Sequence, residues 1–172
     1  FLRDLRSLVI DCAARLLVQT RKGGSLTAAR KRAEECLDSG APRRKWDEML
    51  VAQGADLSAL NRKLARDHTA SVVVELKSPS AGFVSKCDAR LIGEVVRDLG
   101  GGRLTKESVI NYDVGVDRLV KPGERVARGS SLARVHAADR EQARRAAARL
   151  AAAFAVSSKP FRPGPLVQGV IV

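Results

Sequence analysis

The sequence predicts an α+β fold, a helical segment over residues 1–68 followed by a β-rich block over residues 69–172 with one inserted and one C-terminal helix. Three observations predict it. Apolar residues recur with a period of 3.6 through the first third. Near Thr69 the period drops to two and β-branched residues take over. From there on, clusters rich in Gly, Pro and Ser punctuate short apolar runs. The 172 residues are 45% apolar and 29% charged, enough to bury a core in one ordinary domain or two small ones.

The elements follow in order. Leu5, Val9, Cys12 and Leu16, joined by Leu8, Ala13 and Leu17, share one helical face, and Arg21-Lys22-Gly23-Gly24 stops that helix. Ser25 is placed to cap a second helix with its stripe at Leu26, Ala29, Ala33, Cys36 and Leu37, ending at Ser39-Gly40. Pro42 suits the first turn of a third helix, where its missing N–H is no loss, with Trp46, Met49, Leu50 and Gln53 marking the inner face. A shorter helix over Leu57–Leu64 completes the block. Val72, Val74 and Leu76 alternate with Val73, Glu75 and Lys77 as a strand, and Phe83 to Lys86 forms another beyond the Ser78–Gly82 turn. Asp88 caps a helix carrying Leu91, Ile92, Val95, Val96 and Leu99, which Gly100-Gly101-Gly102 ends. Short strands are expected around Val109-Ile110, Asp117–Val120 and Ser131–His136. A last helix is expected over Asp139–Val156, and the tail Leu166–Val172 reads as an edge strand.

Composition excludes several classes. No apolar run reaches the ~20 residues of a membrane span. Phe1-Leu2-Arg3-Asp4-Leu5-Arg6 lacks a signal peptide's uninterrupted apolar stretch. Because it also lacks an initiator Met, the sequence is expected to begin partway through a longer protein. Cys12, Cys36 and Cys87 are odd in number and form no C-x-x-C, which fits a reducing, cytoplasmic compartment and neither a disulfide framework nor a zinc site. The net charge of +12 suggests a polyanionic partner such as nucleic acid, whereas an aromatic content of 3% argues against base stacking. The charge is spread, with 14 basic and 9 acidic residues in 1–69 against 17 and 10 afterwards.

Candidate chemistry is sparse. Gly100-Gly101-Gly102-Arg103 follows a helix, where carbonyls rather than N–H groups face the loop, so it reads as a helix stop before a mobile loop in preference to a phosphate cradle. His136 ends an apolar strand and, like His68, reads as a structural histidine. Asp113 and Asp117 stand four apart in strand and turn, a weak candidate for paired-carboxylate chemistry. Arg140, Arg144, Arg145 and Arg149 line one side of the last helix; Asp139 and Glu141 partly answer them, so a solvated face is favoured over a phosphate track. No metal or organic cofactor is implied.

Two family patterns emerge from the second block. Ser78-Pro79-Ser80-Ala81-Gly82-Phe83-Val84 and Lys121–Ala133 resemble the two halves of a biotinyl/lipoyl-like hammerhead, a barrel-sandwich hybrid. The interval holds no Met-Lys pair, so the resemblance carries the shape and not the carrier function. Read whole, the block resembles the C-terminal domain of the thymidine and pyrimidine nucleoside phosphorylases. The matching stretches are Ser80–Ser85, Asp88–Gly93, Leu99–Arg103, Lys106-Glu107, Ile110–Val116 and Val126–His136, in the family's order and spacing. Leu37–Gly40 and Met49–Gly54 resemble the helices that precede that domain.

The resemblance implies that 1–68 belongs to the α/β core of a parent enzyme and 69–172 to its C-terminal domain. The family cleaves pyrimidine nucleosides with inorganic phosphate as co-substrate, yielding free base and (deoxy)ribose 1-phosphate, and acts as a homodimer. Its Ser-Gly-Arg-Gly, Thr-Gly-Gly-Thr-x-Asp and Lys-His-Ser segments have no counterpart here, so no catalytic residue is carried over. What is carried over is an interdomain closure loop, Gly100, Gly101, Gly102, Arg103 and Lys106. The expected partner is the remaining N-terminal portion of the phosphorylase. The alternative is a degenerate, phosphorylase-like scaffold subunit of a larger assembly containing RNA. An acyl or carboxyl carrier ranks last.

Overall fold

A computed structural model describes residues 3–171. The chain packs as two compact units, the described residues up to Arg66 together with those from Gly164 onward, and Asp67–Pro163.

The first unit holds four helices, α1 (Arg3–Gln19), α2 (Leu26–Asp38), α3 (Ala41–Ala52) and α4 (Leu57–Leu64). Ser25 caps α2 by accepting a hydrogen bond from the Ala28 N–H at 3.2 Å, and Asp56 caps α4 by accepting from Ser58 and Ala59. Pro42 stands in the first turn of α3. Small residues let α1 and α2 approach closely: Ala14, Ala29 and Ala33 are buried. A Cβ on Gly23 would come within 2.9 Å of both Ala29 and Leu17. Buried Asp11 is neutralised by Arg15 at 2.9 Å and by Arg30. Trp46 and Met49 do not form an inner face, because no described element covers that side of α3 and both are exposed.

The second unit holds two antiparallel three-stranded sheets. β1 (Val72–Lys77), β5 (Ser131–Ala137) and β3 (Gly115–Asp117) lie in the order β1-β5-β3. β4 (Arg125–Val126), β2 (Gly82–Cys87) and β6 (Phe154–Ser157) lie in the order β4-β2-β6. α5 (Ala89–Val96) is capped by Asp88, which accepts from the Leu91 N–H, and runs into a wide π turn over Arg97–Gly101. α6 (Arg140–Ala151) is capped by Asp139, which accepts from Gln142 at 2.8 Å. Leu150, Val95, Leu99, Val135 and Ala133 form the main core, and the alanines of α6 let that helix lie close on the first sheet. A second core of Val84, Val126 and Leu132 draws Leu76 from β1 and Phe154 from β6 over it.

Four expected elements differ. Val109 is 92% exposed and forms no strand, because no neighbouring strand takes it up. β3 covers Gly115–Asp117 and stops short of Val120. The last helix ends at Ala151 rather than Val156, since Phe154–Ser157 pairs with β2 (Cys87 opposite Phe154, Val84 opposite Val156) and the ladder prevails over helix propensity. The tail from Leu166 to Ile171 is irregular and exposed instead of an edge strand; Val172 lies outside the described residues.

Candidate functional site

The triple-glycine loop is built on the end of α5. Gly100 takes φ +95, a conformation that glycine adopts without steric cost and that breaks the π turn. Its carbonyl accepts from the Asn111 N–H at 2.8 Å and closes the base of the loop, so that oxygen is already engaged. Asn111 in turn accepts from the Asp113 N–H at 3.0 Å. Gly101 is required for close approach: a Cβ there would stand 3.0 Å from Val96 Cγ1 and 3.1 Å from the Val96 carbonyl. At the tip, Ser108 Oγ accepts from the Leu104 and Thr105 N–H groups. The glycines therefore stop the helix as expected and also seat the loop against it.

Arg103 and Lys106 project from this tip. Both are exposed, and neither makes an ion pair or side-chain hydrogen bond among the described residues. Leu104 (68% exposed), Val109 and Tyr112 (80%) stand out beside them. Two free cations flanked by exposed apolar groups, with the exposed Glu107 next in the chain, can contact another surface.

A second polar centre lies on the first sheet, and the sequence reading missed its main member. Arg134, in the buried run Leu132–Val135, is 9% exposed at its side chain. It donates to Asp117 through Nε at 2.8 Å and Nη2 at 2.6 Å, and to Asp67 through Nη1 at 2.6 Å. Arg118 adds a 3.0 Å contact to Asp67. These bonds hold the Asp117 carboxyl at about 2, well below the usual carboxylate range, with Arg134 the first cause. Asp67 is lowered by the same guanidinium, and Arg134 is raised in return. An arginine inside an apolar strand run was the available signal, since such a charge demands a partner.

The two histidines meet there, their rings 6.0 Å apart. His136 Nε2 lies 2.9 Å from Asp117 Oδ1, yet the approach is oblique and leaves the buried ring nitrogen without a formed hydrogen bond. His136, expected as a structural histidine, is buried here beside Asp117. Asp113 accepts from the Thr69 hydroxyl while Asp117 serves Arg134, so the two carboxylates do not act as a pair. On α6, Arg145 pairs with Glu141, and Arg149 with Glu94 and Asp98, leaving Arg140 and Arg144 unpaired among the described residues. Among those residues no three His, Cys, Asp or Glu side chains gather to hold a metal ion. No described helix is long and apolar enough to cross a membrane.

Residues 83–157 match the pyrimidine nucleoside phosphorylase C-terminal domain. A thymidine phosphorylase of Burkholderia cenocepacia is 34% identical over 169 residues, 96% of this chain and 38% of that protein. One from Colwellia psychrerythraea is 32% identical over 142 residues, 83% of this chain and 32% of its own length. A pyrimidine-nucleoside phosphorylase of Staphylococcus haemolyticus is 33% identical over 133 residues, 77% of this chain and 30% of that protein. The chain thus spans about a third of the length of the curated relatives it matches. The second unit, with the glycine-seated loop, is the part of the chain that matches the C-terminal domain of the pyrimidine nucleoside phosphorylases.

Proposed function

We propose that this chain is the non-catalytic C-terminal portion of a phosphorylase that cleaves pyrimidine (deoxy)nucleosides with phosphate to free base and (deoxy)ribose 1-phosphate. In this reading residues 1–68 are helices of the enzyme's α/β core and residues 69–172 are its C-terminal domain. The rest of the phosphorylase is the partner, in a cytoplasmic homodimer. The exposure of Leu5, Val9, Leu16 and Trp46 supports a larger body for the helices, since such faces favour cover. Two three-stranded sheets sharing a core support the barrel-sandwich hybrid.

The observation that carries the reading is the loop, with Arg103 and Lys106 free at its tip and its base held by the Gly100–Asn111 bond. A loop with a fixed base and unpaired cations is suited to contact a domain that closes toward it, and closure orients substrates and excludes water. The test is Arg103→Ala in the intact phosphorylase. Turnover of thymidine or uridine with phosphate falls several-fold while the melting temperature is unchanged. Unaltered kinetics at an unaltered melting temperature overturn the closure role, and phosphorolysis by the 172-residue chain alone overturns its non-catalytic assignment.

A further inference from the structure

β1 ends the first sheet: it pairs with β5 on one side and with no described strand on the other. Along that open side runs a groove of about 700 Å³, lined by the five consecutive residues Ser71–Glu75 and, from α6, by Arg140, Arg144 and Ala147. Successive strand side chains point to opposite faces, so five consecutive residues line one groove only through the backbone edge of the strand. The edge therefore offers its outward N–H and C=O groups along a half-buried Val72-Val73-Val74 run. Protection is confined to the far end, where the register shifts between Leu76 and Lys77 and where Lys77 pairs with Glu75.

We infer that this edge takes an extended acidic protein segment as an added antiparallel or parallel strand, with alternate carboxylates meeting Arg140 and Arg144. The face is set by the core: Val72, Val74 and Leu76 pack toward α6, so every second side chain of a guest strand falls on the helix side. There it meets two exposed arginines, four residues apart on one helical face, that have no partner among the described residues. Glu75 is the groove's acidic group, and Lys77 answers it. A second copy of this chain fits less well, because edge-to-edge pairing of two β1 strands sets two Arg140/Arg144 pairs on one continuous face. An RNA strand fits less well because the groove is floored by valines and offers no aromatic platform. The inference stands apart from the closure reading and uses none of its residues.

The test is fluorescence anisotropy of the whole chain with a labelled peptide of alternating valine and glutamate, beside a valine–lysine peptide and an oligouridylate. The glutamate peptide binds, and hydrogen exchange slows at amides within Ser71–Glu75 when it is added. Arg140→Ala with Arg144→Ala weakens binding about fivefold, the combined effect of two exposed ion pairs, and added salt does the same. Both positions are exposed and unpaired, so the variant keeps its fold. Equal binding of the lysine peptide, binding unchanged in the double variant, or slowed exchange elsewhere overturns the inference. Preferential capture of the oligouridylate, or concentration-dependent self-association that the peptide does not displace, overturns it in favour of those occupants.

Discussion

Arg134 and Asp117 sit directly opposite each other on β5 and β3 and are joined by a two-bonded fork, Nε to Oδ1 at 2.8 Å and Nη2 to Oδ2 at 2.6 Å. The third arm of the guanidinium reaches Asp67, at the start of the second unit. A guanidinium buried in a sheet is tolerated only with its donors answered, so the fork and Asp67 act together to keep Arg134 inside.

Replacing Asp117 by Asn removes the charge and half of the fork. Because Asp117 is 42% exposed, solvent screens part of the loss, and the expected destabilisation is about 1–2 kcal/mol at neutral pH. The pH dependence follows from the lowered carboxyl. A carboxylate at about 2 when folded, against about 3.9 when unfolded, contributes stability that is fully present above pH ~4. That contribution is lost as the pH falls toward 2. Urea unfolding across this window should show a shallower acid limb for the variant. Asp67, Glu75 and Asp88 are lowered too, so the limb flattens without vanishing. Parallel curves for the two proteins would contradict the assignment.

Cys87 should alkylate last. It is half-buried at the end of β2, and burial first, then the neighbouring Asp88 charge, pushes its thiol up. Cys12 and Cys36 are exposed on α1 and α2. Iodoacetamide at about pH 8, followed by peptide mass spectrometry, should label Cys12 and Cys36 well before Cys87. Faster labelling of Cys87 would mean that β2 opens locally.

Local chemistry is what the sequence displays openly. Ser25 before α2, Pro42 in α3 and Asp88 before α5 each announce a helix start through the hydrogen bonds their own side chains or rings permit, and all three stand where that logic places them. What stays hidden depends on residues far apart. The Phe154–Ser157 strand is indistinguishable from the end of an alanine-rich helix until β2 is beside it, about 70 residues earlier in the chain. Arg134 finds Asp67 across a separation of 67 residues, so its strand position marks a demand for a partner without naming it. The loop is legible through its glycines and its family resemblance. The seat of Gly101 against Val96 is not, because a φ outside the left-handed region leaves no mark in the sequence pattern.

Leu150 ties α6 to the sheet beneath it. It is fully buried, among Val95, Leu99 and Val135. Leu150→Ala should cost about 2–4 kcal/mol through lost burial and the cavity left behind. Leu104→Ala, at 68% exposure, should stay within about 0.5 kcal/mol. Denaturant titration of both variants decides it; equal effects would refute the core assignment.

Two glycines in the second unit should respond to alanine with opposite signs. Gly82 opens β2 against β6, where an added Cβ would collide with the Ser157 carbonyl oxygen and stand 2.9 Å from Val156 Cγ1. The obstacle is partner backbone, which can yield only by giving up the register between Phe83 and Ser157. Gly82→Ala should therefore cost about 2 kcal/mol or more and loosen β6 first, seen as faster amide exchange at Ala155 and Val156. Gly93 lies inside α5 with nothing within 4 Å of where a Cβ would sit. There the alanine removes backbone freedom from the unfolded chain and meets no neighbour, so Gly93→Ala should stabilise by about 0.5–1 kcal/mol. Thermal melts of the two variants should move in opposite directions. A loss of stability at Gly93 would mean that its face of α5 is covered, and an unaffected Gly82 variant would mean that β2 and β6 are not paired in this register.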